Sequence, residues 1–105
     1  MKIPKAFQIL GMKISVVFDE DLYDRKGCLG LVKYRENKIY LQPNTLELKL
    51  ADDKIENIFF HELTHLVLYN SEGKDIDDAL CNDEILVNRI SGLLHQVFST
   101  MEYSE

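Results

Sequence analysis

Residues 59–69 read FFHELTHLVLY, a run that is apolar throughout except for HELTH. Such a helix belongs inside a protein, yet this one carries two imidazoles and a carboxylate. Burying groups of that kind costs free energy unless each has a partner. His61, Glu62 and His65 fit H-E-x-x-H, in which the i, i+4 spacing puts both imidazoles on one helix face, one turn apart. One metal ion would partner both at once. Zinc suits two neutral imidazoles with a carboxylate and leaves a fourth position for water, whose pKa then falls to about 7. Glu62, beside the pair, is placed to act on that water as a base rather than to ligate. The plain alternative is two core histidines hydrogen-bonded to backbone or to Thr64. It leaves three polar groups in one apolar turn to be satisfied separately.

Working outward, Asp53 followed by Glu56 resembles a capping box, and Ile55, Phe59, Leu63, Leu66 and Val67 keep helical spacing to about Asn70. A turn centred on Gly73 covers 71–78 (SEGKDIDD), and a last helix runs from roughly Asn82 to Met101. Its stripe is Leu86, Ile90, Leu93, Leu94 and Val97. Toward the N-terminus, 3–10 predicts a short helix with Pro4 in its first turn and Gly11 ending it. Residues 12–18 (MKISVVF) predict a strand, 19–27 a polar connection, and 28–34 with 38–42 a hairpin about Arg35-Glu36-Asn37 that Pro43 closes. The order α-β-β-β-α-α predicts an α+β domain with a small, mostly antiparallel, three-stranded sheet.

Zinc needs a third protein ligand, and Glu84 stands just inside the final helix at the polar margin of its stripe. An ordinary first-turn carboxylate, favoured by the helix dipole, would look the same, and spacing alone leaves the two open. Asp83 better suits a helix cap together with Asn82. Cys81 is a soft donor by type, although a buried thiol is the commoner state of a lone cysteine. His95 shares the Glu84 face but lies eleven residues on, roughly 16 Å along the axis. That is too far for the same ion and marks His95 as a surface or boundary residue. Asn88, one turn after Glu84, is placed to orient a ligand histidine.

The chain has 105 residues, 46% hydrophobic and 29% charged, which suits a single globular domain spanning 1–105. It contains no apolar run long enough for a membrane span. Pro4, Gly11 and Lys13 interrupt the N-terminal apolar stretch, and no small-residue cleavage site follows, so the expected location is the cytoplasm. Cys28 and Cys81 lie far apart and read as reduced thiols. A net charge of −6 argues against a nucleic-acid partner.

The stretches HELTHLVLYN and NDEILVNRISGLLHQVF resemble those of zincin metallopeptidases of the gluzincin kind, and in particular the small ImmA/IrrE-type metallopeptidases of phages and mobile elements. They are also similar to the minimal single-domain gluzincins, built as helix, three-stranded sheet, active-site helix and glutamate helix. The resemblance implies His61, His65 and Glu84 as zinc ligands, Glu62 as general base and acid, and hydrolysis of a peptide or protein substrate. Position 88 is Asn where such proteins usually carry an acidic residue. An extended substrate would pair with an edge strand, for which 38–42 is the choice. Tyr69 and Tyr40 are oxyanion-stabilising candidates by residue type alone. Two other readings compete. One is a non-catalytic interaction protein of a mobile element with a structural or vestigial zinc, which gives Glu62 no use; the other is a zinc hydrolase of non-peptide amides.

Overall fold

Leu10 and Gly11 both adopt left-handed backbone angles, φ 50° and 78°, in the computed structural model, which describes residues 3–72 and 83–104. Positive φ at both central residues is what a two-residue type I′ hairpin turn requires, and glycine takes it without strain. The turn joins β1 (Ala6–Ile9) to β2 (Met12–Phe18), paired antiparallel with Ile9 opposite Met12. The expected N-terminal helix is therefore a strand. Gly11 turns a hairpin instead of ending a helix, and Phe7 and Ile9 alternate onto the face that packs against the core. A short apolar run of this length fits either period, and pairing with β2 decides it.

The polar segment after β2 contains a short helix, α1 (Leu22–Lys26), anchored by the buried Leu22. The buried amide of Gln42 secures this region. Its oxygen accepts from Tyr23 N at 2.8 Å, and its nitrogen donates to the carbonyls of Glu20 and Pro43 at 2.8 and 3.1 Å. β3 (Gly30–Lys33) and β4 (Lys38–Leu41) form the expected hairpin, closed by a single 3₁₀ turn and a left-handed Asn37. The sheet has four strands in the order β1-β2-β4-β3, with β2 and β4 parallel and the other two pairings antiparallel. β4 is thus interior, and the edge expected at 38–42 belongs to β3. The register places Ile39 and Leu41 in the core, fully buried, and a central strand needs that continuous cover.

One long helix covers one face of the sheet, and a second packs on that helix. α2 (Asp52–Glu72) carries Phe59, Phe60 and Leu66 into a core shared with Ile14, Ile39 and Leu41. Its first amides bond the Ala51 carbonyl, so Asp53 lies inside the helix and does not cap it, and Glu56 points elsewhere. α3 (Glu84–Ser99) is capped by Asp83, whose side chain accepts from Leu86 N at 3.1 Å. Its buried residues are Val87 and Ser91, whereas Leu93 and Val97 are 63% and 50% exposed. The covered face is therefore turned from the expected apolar stripe. Periodicity gives a stripe but does not say which side a neighbour covers. Of the turn expected at 71–78, Ser71 and Glu72 instead continue α2, and the rest, with Cys81 and Asn82, lies outside the described residues. Cys28 is a free thiol, and among the described residues no helix is long and apolar enough to cross a membrane.

Candidate metal centre

α2 lies between the sheet and α3, so its apolar residues face two ways and the HELTH turn is enclosed by neighbours. The i, i+4 spacing brings the Nε2 atoms of His61 and His65 to 3.2 Å of one another. Glu84, on the first turn of α3, reaches both: Oε2 lies 3.3 Å from His61 Nε2 and Oε1 lies 3.1 Å from His65 Nε2. Three ligand-type atoms from two helices thus converge on one point. Atoms held about 2.0–2.1 Å from a tetrahedral zinc stand about 3.3–3.4 Å apart; the two imidazole nitrogens stand 3.2 Å apart, and each meets a different oxygen of the Glu84 carboxylate at 3.1 or 3.3 Å. Neutral imidazole nitrogens and a carboxylate aimed at one point repel unless a cation or a proton stands between them. The donor set fits zinc.

Asp83 and Glu84 separate cleanly, since the Asp83 carboxylate is spent on the helix cap and Glu84 faces the histidines. The Thr64 hydroxyl donates to the Phe60 carbonyl at 2.7 Å, so its one proton is not directed to an imidazole. Glu62 is buried and stands outside the triangle. Burial, and secondarily the charge of Glu84, pushes its carboxyl up to about 7. A carboxyl poised there exchanges protons readily near neutral pH.

A groove of ≈ 540 Å³ opens beside the cluster, lined by Gly30, Ile58, His61, Glu62, Asn88 and Ser91 among others. Gly30 makes this arrangement possible. A Cβ there would lie 2.5 Å from Ile58 Cγ2 and 3.0 Å from Glu62 Cγ, so only glycine lets β3 approach α2 this closely. Its signal in the sequence is a lone glycine inside a strand pattern. Gln42 N donates to Leu29 O at 2.9 Å, so the antiparallel ladder makes Leu31 and Lys33 the next bonded positions and aims the N–H and C=O of Gly30 and Val32 at the open edge. No described residue pairs with that edge.

Asn88 lines the groove, and among the described residues its side chain bonds neither histidine. Tyr40 donates to Glu36 at 3.1 Å and Tyr69 stacks on Tyr34 at 4.1 Å, so neither faces the groove. His95 is a boundary residue of intermediate burial. Its side chain is 14% exposed, and its Nε2 lies 3.0 Å from Oε1 of the buried Glu56. Sequence spacing gave no sign of that pair, whose members lie 39 positions apart. No family model matches the chain, and neither the curated proteins nor the solved structures contain a match.

Proposed function

We propose that the chain is a zinc-dependent metallopeptidase of the zincin kind, with Glu62 as its general base. The observation that carries this reading is the convergence of His61 Nε2, His65 Nε2 and the Glu84 carboxylate, with the nitrogens 3.2 Å apart and one carboxylate oxygen within 3.1–3.3 Å of each, a donor set that suits zinc. The resemblance of both helices to gluzincins supports it. His61, His65 and Glu84 would hold the ion. When bound, zinc supplies Lewis-acid polarisation of a carbonyl and lowers the pKa of water.

The remaining work belongs to the chain. Glu62 takes a proton from water as its oxygen attacks the scissile carbon. It returns that proton to the amine nitrogen as the C–N bond breaks. Gly30 keeps Glu62 against the edge strand, and the outward N–H and C=O groups of Gly30 and Val32 offer an extended peptide its backbone partners. The free thiol of Cys28 fits a reducing compartment, and we place the reaction in the cytoplasm.

The test is Glu62→Gln, which keeps shape and hydrogen bonding but accepts no proton. Hydrolysis of a cleaved protein target should fall about 10²–10⁴-fold while zinc content stays the same. Equal cleavage by both variants removes Glu62 as the base. A second reading, an interaction protein with a structural zinc, draws support from the apolar Leu93, Val97, Phe98 and Met101, exposed along and just beyond α3. It gains if both variants bind one partner and neither cleaves it.

A further inference from the structure

Glu84 is one of three candidate ligands, and it alone comes from α3. Its side chain is 61% exposed, and little of α3 is buried around it. Apolar packing of this kind tolerates small slides and rotations of a helix. Something else must set the register with which α3 meets α2.

We infer that the Glu56–His95 pair is a positioning device that fixes the rotation and register of α3 and thereby delivers Glu84 to His61 and His65. This rests on the metal-centre reading given above. His95 Nε2 meets Glu56 Oε1 at 3.0 Å with both side chains nearly buried, at 14% and 9% exposure. The His95 ring also lies 5.7 Å from the Phe60 ring, which stacks on Phe98 at 5.6 Å. A buried hydrogen-bonded pair is intolerant of sliding: one residue of shift moves a helix about 1.5 Å and turns it about 100°, breaking the bond in a poorly hydrated place. Glu84 and His95 are eleven residues apart, close to three full turns, and so share one face of α3. Locking His95 onto Glu56 therefore turns Glu84 toward α2 as well. Asp53 brings a carboxylate within 4.8 Å of the pair but is itself exposed.

The experiment measures zinc affinity by competition with a chromophoric chelator, and the visible spectrum of the cobalt(II)-substituted protein. The variants are His95→Ala, the apolar double variant Glu56→Leu/His95→Leu, and the swap Glu56→His/His95→Glu. Removing a group that orients a ligand typically costs about 10–100-fold in metal affinity, and that loss is expected for His95→Ala, with a cobalt spectrum moved toward that of Glu84→Ala. The apolar double variant should recover thermal stability but not affinity, whereas the swap should recover affinity. The double variant also serves if His95→Ala fails to fold. Wild-type affinity in the apolar double variant overturns the inference, because packing alone would then suffice. Two zinc ions per wild-type chain, one of them lost in His95→Ala, would make the pair a second metal site instead. A wild-type chain that binds no zinc removes the metal-centre reading, and this inference falls with it.

Discussion

The α2–α3 interface holds two clusters of the same residue types that are built for different tasks. At one end, His61, His65 and Glu84 aim three ligand atoms at a common point, and the Glu84 carboxylate is 61% exposed. At the other, His95 and Glu56 form a close, nearly buried pair at 3.0 Å. The first arrangement needs a cation or a proton among three groups; the second needs one proton between one imidazole nitrogen and one carboxylate oxygen. Residue type alone would not tell them apart. What separates them is that all three groups of the first are in 3.1–3.3 Å contact while the second makes one contact of 3.0 Å, and that Glu84 is far more exposed than Glu56.

The comparison breaks most visibly at its open end. Glu84→Ala should lower zinc affinity far more than Asp83→Ala, because Asp83 only caps α3 and a lost cap costs about 1 kcal/mol of helix stability. Equal losses in a chelator competition would return the choice of third ligand to open. Next in size is Gly30→Val. A side chain there meets Ile58 and Glu62 at 2.5 and 3.0 Å, and overpacking of that order costs about 1–3 kcal/mol. Thermal unfolding should report this loss, and hydrolysis should fall further than zinc content does, since Glu62 is displaced and the ligands are not.

The closed end should show itself in acid. The hydrogen bond from His95 holds the Glu56 carboxyl below its ordinary value of 4.5. A carboxylate lowered in the folded state contributes stability that is complete above that ordinary value and is lost as pH falls through the lowered one. Stability measured from pH 6 down to pH 3 should therefore decline less steeply in His95→Ala than in wild type. Parallel curves would mean that the contact with His95 does not lower the Glu56 carboxyl. The smallest effect belongs to α3's outer side, where Leu93→Ala should change stability by no more than about 0.5 kcal/mol, whereas Val87→Ala, in the buried face, should cost clearly more.

Legibility in the sequence followed the range of the interactions. HELTH was readable because its geometry is local to one helix, whereas spacing alone left Glu84 open between a ligand and a first-turn carboxylate, and only the packing of α3 on α2 brings it to the histidines. The α+β class was readable from alternating strands and two long helical periods. Residues 3–10 misled because four residues of strand and one turn of helix share an apolar count, and only pairing with β2 decides between them. The place of β4 between β2 and β3 depends on a parallel crossover that hairpin signals do not reveal. The Glu56–His95 pair joins positions 39 apart and leaves no local mark.

The central claim is that His61, His65 and Glu84 together hold one zinc ion. Metal analysis of the purified protein, wild type beside His65→Ala and both reconstituted with zinc, tests it most directly. The account predicts one zinc per wild-type chain, with a raised melting temperature, and none retained by the variant after dialysis. A wild-type chain that keeps no zinc, or a His65→Ala chain that keeps as much, would contradict it.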